Sequence, residues 1–370
     1  MNSAATVLAV AGDPGGANAL LPVLRALREA GVDVVACPYR EAVTSWAPAA
    51  ISTLPLDDST DPAQLLRQAR PSFLLTATSM NGVDLEKRFI VAARSMQIPS
   101  LAVLDFWSHY RERFADSSGA LAYMPDHIAV MDDLARDEML RCGFDAARIS
   151  VTGQPAFDEL RGWRRQFSAE RRASVRCGLG AGPDDLLIAF LSQPLSETVG
   201  NKFGFTEISV LEQVTAALVS IQRRHPEKRL VLVIRPHPRE QVGKFEHLVR
   251  TELNRLVSGD GDRREVVMAA DLVVGMNTVL LYEACLMSCI TLSVQPDPQG
   301  GDVLPSNRAG WSRAVYNPDN IEPTLEQMLL DEKERAAIWA RLAAIVPPQD
   351  ATSRVVELIQ RMVSEGGQGS

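Results

Sequence analysis

The sequence has few cysteines, and they lack the spacing that cysteine chemistry requires. Five cysteines are scattered over 370 residues, and no CxxC pair occurs. Neither a zinc site nor a disulfide framework is therefore indicated. Cys285 and Cys289 lie in an apolar stretch, so we expect them to be buried thiols.

Signals for export and membrane insertion are also missing. No basic region precedes the first apolar segment, and no uninterrupted apolar run approaches the length of a membrane span. We therefore expect a cytoplasmic protein without a transmembrane segment, which leaves a peripheral membrane association open. The formal net charge of −8 argues against a general nucleic-acid-binding surface.

Several catalytic signatures are absent as well. The sequence contains no P-loop, no GxSxG elbow and no histidine–acid cluster at metal-ligand spacing. The turn Gly12-Asp-Pro-Gly-Gly16 is not a GxGxxG fingerprint, because the spacing differs and Pro14 intervenes. These absences argue against a serine hydrolase or an NTPase, and we predict no bound metal and no cofactor.

Short apolar segments of strand composition alternate with helical segments along the whole chain. A chain of 370 residues exceeds one ordinary domain. The alternation predicts an α/β protein with two Rossmann-like, doubly wound parallel-sheet domains facing a central cleft. We predict domains at residues 1–165 and 183–350, followed by a helix at 351–365. The pattern also predicts a helix over Phe245–Val257 and a break in periodicity between Gly162 and Asp185.

The strongest candidate site follows an apolar strand in the second domain. Gly275 permits a tight turn, and Asn277 and Thr278 are helix N-cap residue types before a helix that starts at Val279. The N-terminus of a helix is a natural phosphate site. Glu283 lies one turn further along, where its carboxylate can accept hydrogen bonds from the vicinal hydroxyls of a ribose. The alternative is an ordinary βαβ unit with a buried, capped acid.

Two further polar loops follow predicted strands of the same domain. The loop Arg235-Pro-His-Pro-Arg-Glu240 combines guanidinium and imidazole groups, which bind phosphate, with prolines that stiffen the backbone. The alternative is a solvated loop with an internal Arg–Glu pair. The phosphate-binding candidates in the two loops are Ser192, Gln193, Arg235, His237 and Arg239.

The first domain offers a glycine-rich turn and a loop dense in functional side chains. The glycines of Gly12–Gly16 lack Cβ and permit close approach to a ligand. In the loop Asp105–Arg113, Asp105 and His109 are candidates for a general base or for orienting an acceptor hydroxyl. The alternative is a structural loop with an aromatic plug. The residues predicted to bind the acceptor or sugar are Asp13, Gly15, Gly16, Trp107, Tyr110 and Arg111.

Three motifs together resemble those of GT-B glycosyltransferases and their relatives. They are Val151-Thr-Gly-Gln-Pro-Ala-Phe-Asp158, Arg235-Pro-His-Pro-Arg239 and Gly275-Met-Asn-Thr-Val-Leu-Leu-Tyr-Glu-Ala284. Over most of its length the chain is similar to bacterial surface-carbohydrate enzymes: the UDP-GlcNAc 2-epimerase group, lipid A disaccharide synthase-like proteins and CDP-glycerol glycerophosphotransferases. The resemblance implies a nucleotide-sugar donor (UDP-, CDP- or similar) held mainly by the second domain, and no obligatory metal.

The resemblance also implies roles for single residues. Glu283 would bind the ribose, Gly275–Val279 with Arg235 and His237 would face the diphosphate, and the last helix would cross back to the first domain. The epimerases of this fold carry a His-Arg-Arg-Glu-Asn-like stretch, which Arg-Pro-His-Pro-Arg-Glu matches only loosely. The loop Asp105–Arg113 matches no epimerase motif.

We therefore expect a metal-independent glycosyltransferase. It would transfer a sugar, or a related nucleotide-activated group, from a nucleotide diphosphate donor to an unknown hydroxyl acceptor, in surface polysaccharide or secondary-metabolite biosynthesis. A nucleotide-sugar 2-epimerase or hydrolase of the same fold is the first alternative. A non-catalytic two-lobed ligand-binding protein is the second.

Overall fold

A computed structural model of the protein describes residues 6–47, 51–237, 239–241, 243–245, 253–259, 261–345 and 350–366. The chain divides into two compact units. Unit 1 comprises Met1–Glu159 and Pro348–Ser370, and unit 2 comprises Leu160–Pro347. Each unit contains one six-stranded parallel sheet flanked by helices. The predicted fold class, two doubly wound α/β domains of the GT-B type, is confirmed.

The sheet of unit 1 has the strand order β2-β1-β3-β4-β5-β6. Its strands are β1 Thr6–Ala11, β2 Asp33–Pro38, β3 Phe73–Thr76, β4 Ser100–Val103, β5 His127–Val130 and β6 Ile149–Val151. The helices of this unit are α1 Pro14–Glu29, α2 Glu41–Trp46, α3 Pro62–Ala69, α4 Leu85–Ser95, α5 Tyr110–Phe114, α6 Asp133–Arg141 and α16 Ala351–Gly366. β3 and β4 are buried along their whole length, as expected for parallel strands covered by helices on both faces.

Helix α1 begins at Pro14, within the segment Gly12–Gly16 that the sequence predicts to be a turn. The Asp13 carboxylate accepts the N–H of Gly16 at 2.8 Å, and Pro14 occupies the first turn, where a missing N–H costs nothing. The helix buries a stripe of apolar residues against the sheet: Leu20, Val23, Leu24 and Leu27. This start places the glycine-rich turn at the carboxyl end of β1.

The last described helix, α16, completes the core of unit 1. Val355, Leu358 and Ile359 are buried in the same apolar cluster as the inner face of α1. The Asp158 carboxylate accepts the N–H groups of Ala351 at 3.0 Å and Thr352 at 2.8 Å, which caps α16. Unit 1 is therefore assembled from two distant parts of the chain.

The sheet of unit 2 has the strand order β12-β11-β10-β7-β8-β9. Its strands are β7 Leu186–Leu191, β8 Leu230–Arg235, β9 Asn254–Val257, β10 Leu272–Gly275, β11 Thr291–Val294 and β12 Arg313–Val315. The helices are α7 Leu160–Gln166, α8 Ala169–Gly178, α9 Leu195–Thr198, α10 Glu207–Arg224, α11 Arg263–Ala269, α12 Val279–Leu286, α13 Pro305–Arg308, α14 Ile321–Leu330 and α15 Glu332–Ala343. None of the described helices combines the length and apolar composition of a transmembrane span.

The structure corrects two predictions about local structure. The end of the predicted helix Phe245–Val257 is instead strand β9, which pairs in parallel with β8 at the edge of the sheet, while residues 246–252 lie outside the described residues. The segment Gly162–Asp185 contains most of α7 and all of α8. Their pattern was missed because α8 faces solvent along most of its length. The sequence pattern also predicts helices over Ile321–Leu330 and Glu332–Ala343, and α14 and α15 have these bounds. Cys285 and Cys289 are buried as predicted.

Candidate functional site

Three loops of unit 2 lie at the same edge of the sheet, because β10, β7 and β8 are consecutive neighbours. All three strands are parallel, so their carboxyl ends meet there. The backbone N–H of Asn277, after β10, donates to Oε1 of Gln193, after β7, at 3.1 Å. Ser192 Oγ donates to Glu240 at 2.7 Å, beyond the end of β8. The structure therefore joins these predicted site loops through hydrogen bonds.

The turn before α12 has the geometry that its sequence predicts. Thr278 is the N-cap residue, and its Oγ1 accepts the N–H of Leu280 at 3.3 Å. A Cβ on Gly275 would lie 3.3 Å from Thr278 Cγ2 and 3.4 Å from Leu281, so this tight position favours glycine. The first N–H groups of a helix and its dipole make the start of α12 suited to an anion.

Glu283 is a buried carboxylate on the second turn of α12. Its residue surface is 5% exposed, and within the described part of the chain its Oε2 accepts no hydrogen bond. The nearest charged partner is Arg264, whose Nε lies 3.7 Å away and whose guanidinium stands 5.7 Å from the centre of the Trp163 ring. A buried carboxylate oxygen without a donor is costly. The position is therefore suited to a ligand that brings hydroxyl groups.

His237 is held as a neutral imidazole. Burial, followed by the charges of Arg239 and Arg263, lowers the pKa of His237 to about 4. Its Nδ1 accepts the backbone N–H of Arg239 at 3.2 Å, so the ring proton lies on Nε2. A neutral ring with this tautomer presents one N–H donor, which can bind a phosphate oxygen.

Because of this low pKa, His237 should not make ligand binding depend on pH near neutrality. We expect the wild-type affinity for a diphosphate diester bound at this edge of the sheet, whose phosphates do not titrate in this range, to stay constant between pH 5.5 and 8. His237→Ala should weaken binding about tenfold at every pH, the cost of one hydrogen bond, whereas His237→Gln keeps a donor and should lose less. Isothermal titration calorimetry measures these affinities. Wild-type binding that tightens tenfold on acidification would instead indicate an imidazolium.

Arg235 is the last residue of β8, and its guanidinium contacts backbone carbonyls of the protein. Its Nη1 donates to the carbonyl of Ser258 at 3.1 Å, and its Nη2 donates to that of Gly261 at 2.6 Å. The guanidinium thus orders the segment before α11. Arg239 is exposed, and its backbone N–H fixes the His237 tautomer.

Unit 1 contains a second polar cluster, at the carboxyl ends of β1, β3 and β4. Asp13 caps α1 at this edge. Burial, followed by the charge of Asp105, raises the pKa of Asp13 to about 7, while Arg113 and the N–H of Gly16 act in the opposite direction. Near neutral pH this carboxyl group is therefore divided between its acid and its base forms, as proton transfer requires.

Three glycines allow this cluster to close. A Cβ on Gly12 would lie 2.2 Å from the Tyr39 ring, one on Gly15 would lie 2.4 Å from Asp105 Oδ2, and one on Gly16 would lie 2.4 Å from Ala77. None of the three has a positive φ. Glycine is needed here for close approach rather than for its backbone freedom.

Glu86, Ser79 and Tyr39 form the buried part of this cluster, which was not predicted from the sequence. Glu86, on α4, accepts hydrogen bonds from Ser79 Oγ at 2.5 Å and from the Tyr39 hydroxyl. Burial raises the pKa of Glu86. A signal was present in the sequence, since Glu86 shares its helix face with the apolar residues Phe89, Ile90 and Ala93.

Asp105 is paired with a buried arginine. Arg113 Nη1 donates to Asp105 Oδ1 at 2.7 Å and to the carbonyl of Thr78 at 2.6 Å, and Thr78 Oγ1 lies 3.3 Å from the same carboxylate. His109 is exposed and has a φ of 56°, and its Nδ1 lies 2.8 Å from Ser108 Oγ. Of the two predicted bases, Asp105 therefore lies in the cluster with Asp13.

The other side chains of this loop serve its packing. Trp107 is 2% exposed, donates from Nε1 to Asp132 and stacks on Phe157 with ring centres 6.5 Å apart. Tyr110 donates to Glu138 at 2.7 Å. Arg111 donates to the backbone carbonyls of Cys142 and Gly119. These three predicted ligand contacts are engaged in contacts within unit 1.

Comparison with known proteins gives matches by structure only. No family model matches the chain, and no curated protein sequence matches it. S. aureus MnaA, solved with UDP, superposes with a TM-score of 0.70 at 13% identity, covering 97% of each chain. UDP-GlcNAc 2-epimerase from Neisseria meningitidis, solved with UDP-GlcNAc, gives 0.70 at 13% identity over 96% of this chain and 100% of the epimerase. MurG from Acinetobacter baumannii gives 0.62 at 14% identity over 96% and 99%. These similarities show the GT-B fold.

Proposed function

We propose, from this fold and from the polar clusters in its two units, that the protein is a nucleotide-sugar enzyme. Unit 2 would hold a nucleoside diphosphate sugar, and unit 1 would activate the hydroxyl acceptor that receives the sugar or related group. The observation that carries the proposal is the buried Glu283 carboxylate, whose Oε2 accepts no hydrogen bond from the described residues. Two vicinal ribose hydroxyls would supply the missing donors.

The diphosphate would bind one helical turn before Glu283. The start of α12 at Asn277–Val279 offers backbone N–H groups and the positive end of the helix dipole. The Nε2–H of His237, at the adjacent strand end, adds a neutral donor. Preorganised donors of this kind stabilise the charge that develops on a departing diphosphate. Arg235 would act indirectly, by ordering the segment before α11.

The proton from the acceptor hydroxyl would pass to Asp13. This carboxyl group has a pKa of about 7 and lies beside Asp105, whose charge helps to keep the Asp13 pKa high. We therefore assign the base role to Asp13 rather than to Asp105 or His109. Asp105, oriented by Arg113, would help to raise the pKa of Asp13 and would contact the acceptor.

Nucleotide-sugar 2-epimerisation is the second candidate function. The 2-epimerases superpose more closely than MurG does. A pair of neighbouring acids, Asp13 and Asp105, also suits a reaction that removes a proton from the sugar and returns it. This reaction needs no separate acceptor, which separates it experimentally from transfer.

A nucleotide panel followed by one incubation tests the proposal. Among UDP, CDP, GDP, dTDP and CMP, at least one diphosphate at 100 times its Kd should stabilise the protein by about 2.7 kcal/mol, a rise in Tm of roughly 5–10 °C. The matching nucleotide sugar is then incubated alone. A C2 epimer or free nucleotide released at a turnover rate would favour the second candidate, and a stable donor would favour transfer. Absence of binding to every nucleotide would contradict both.

A further inference from the structure

The carboxylate of Glu240 is completely buried and receives hydrogen bonds from three directions. Its side chain is 0% exposed. Ser192 Oγ donates to Oε1 at 2.7 Å, the backbone N–H of His237 donates to Oε2 at 2.6 Å, and Lys244 Nζ lies 3.0 Å from Oε1. Ser192 follows β7 and His237 follows β8, so one carboxylate joins the two loops at adjacent strand ends.

The link between Glu240 and His237 is reciprocal. The His237 N–H donates to the Glu240 side chain, and the Glu240 N–H donates to the His237 carbonyl at 2.9 Å. Both backbone polar groups of His237 are thus bonded to a single residue. The imidazole is fixed in addition by the Arg239 N–H on its Nδ1. The direction of Nε2 therefore depends on the position of Glu240.

The same carboxylate reaches the turn before α12 through one more step. Gln193 follows Ser192 in the chain, and its Oε1 accepts the N–H of Asn277 at 3.1 Å. A displacement of Ser192 would therefore displace Gln193 and weaken the hydrogen bond that its Oε1 accepts from the Asn277 N–H. All three loops that we assign to the diphosphate are connected through Glu240.

Lys244 offsets the cost of burying the Glu240 carboxylate by forming an ion pair with it. Its ammonium group also lies 2.5 Å from Glu207 and 2.9 Å from Glu197. Burial alone lowers the pKa of Lys244, but its hydrogen bonds to the three carboxylates outweigh burial and raise the pKa above its ordinary value. A buried carboxylate without such a partner would be strongly destabilising.

We propose that Glu240 is a positioning residue for the diphosphate subsite: it sets the Nε2 donor of His237 and the Gln193–Asn277 turn without touching the ligand. This inference rests on the proposed nucleotide site. It goes beyond that site by separating the diphosphate from the nucleoside. Glu283, which we assign to the ribose, belongs to α12, and among the described residues it forms no hydrogen bond or ion pair with Glu240.

Glu207 provides a matched control. Its side chain is likewise 0% exposed and also pairs with Lys244, and its carboxylate accepts the backbone N–H of Ser196 at 2.9 Å. Neither Ser192 nor His237 is among its partners in the described chain. A change from Glu to Gln at 207 removes the same buried charge as a change at 240, without releasing the two loops.

The test compares affinities for UDP, uridine and inorganic pyrophosphate in wild type, Glu240→Gln and Glu207→Gln by calorimetry. Glu240→Gln should weaken UDP and pyrophosphate binding roughly 10- to 100-fold and uridine binding less than threefold. Glu207→Gln should keep the UDP-to-uridine affinity ratio within twofold of wild type. If Glu240→Gln fails to fold, Glu240→Asp takes its place, because it keeps a carboxylate for Lys244 but shortens the side chain that joins the two loops.

The outcomes are separable. Equal losses for UDP and uridine in Glu240→Gln, or no loss, would overturn the positioning role while leaving the nucleotide site intact. The same selective loss of UDP and pyrophosphate affinity in Glu207→Gln would also overturn the positioning role of Glu240. The loss would then result from removing a buried charge and not from releasing the two loops. A wild-type protein that binds neither UDP, nor pyrophosphate, nor any nucleotide of the panel would remove the proposed function, and this inference with it.

Discussion

Replacing Asp13 with Asn is expected to reduce kcat by about 10²- to 10⁴-fold, the usual contribution of a general base. The amide of Asn cannot take up the proton that the acceptor hydroxyl releases. It can still accept the N–H of Gly16, since Asn caps helices as well as Asp does. The fold should therefore survive, and a steady-state assay with the nucleotide sugar that the panel identifies measures the loss.

The same substitution should stabilise the protein at neutral pH. Burial and the charge of Asp105 raise the pKa of Asp13 to about 7 in the folded protein, from 3.8 ordinarily. Between these two values the unfolded chain has lost this proton and the folded chain keeps it, so wild-type stability falls as pH rises and levels off above pH 7. Over the whole window the effect is at most about 4 kcal/mol. Asn at this position has no such titration.

Urea unfolding of wild type and Asp13→Asn at pH 5 and pH 7.5 measures this difference. The advantage of the variant should grow by about 2 kcal/mol between the two pH values. Asp61→Asn is the matched control, because Asp61 also caps a helix that begins with proline but is exposed. Parallel pH profiles for wild type and Asp13→Asn would show that Asp13 is not held in its acid form.

Replacing Glu283 with Gln is expected to weaken binding of a ribonucleoside diphosphate roughly 100-fold. The carboxylate would otherwise accept hydrogen bonds from two hydroxyls, and each charge-assisted bond contributes about 1.5–3 kcal/mol. The side chain is buried, so water does not replace these bonds fully. Calorimetry with UDP gives the affinities, and Glu265→Gln, on α11 and paired with the exposed Arg171, should bind as wild type does.

Deoxynucleotides make the Glu283 prediction specific to the ribose. Wild type should bind the ribonucleoside diphosphate that the panel identifies about tenfold more tightly than its 2′-deoxy form, the value of one hydrogen bond to a charged group. Glu283→Gln should discriminate much less. Equal discrimination by both proteins would mean that Glu283 is an ordinary buried acid and that the ribose lies elsewhere.

The elements that the sequence predicts well are those whose signals are local. The start of α12 carries capping residue types next to an apolar strand, and α14 and α15 carry a regular apolar stripe. The short edge strands β9 and β12 have no such signal. Each is only three or four residues long, and it becomes a strand because a neighbouring strand offers it hydrogen bonds.

The candidate site divides in the same way. The sequence predicts the local geometry of Asn277, Thr278 and Glu283, because the first two form the turn that starts α12 and the third follows within that helix. It does not predict how Trp107 and Tyr110 are oriented, since their directions depend on partners about 25 residues away, Asp132 and Glu138. Lys244 and Glu240 fall in the same class, because only the folded sheet brings their partners together.

The capping of α16 by Asp158 bears on the order in which the chain can fold during synthesis. Unit 2 is made from one continuous stretch, Leu160–Pro347. Unit 1 has its sheet in the first 159 residues, but part of the apolar cover of α1 comes from Val355, Leu358 and Ile359. The ribosome thus releases the whole of unit 2 before the helix that closes unit 1. The core of unit 1 can therefore be completed only after all of unit 2 has been synthesised.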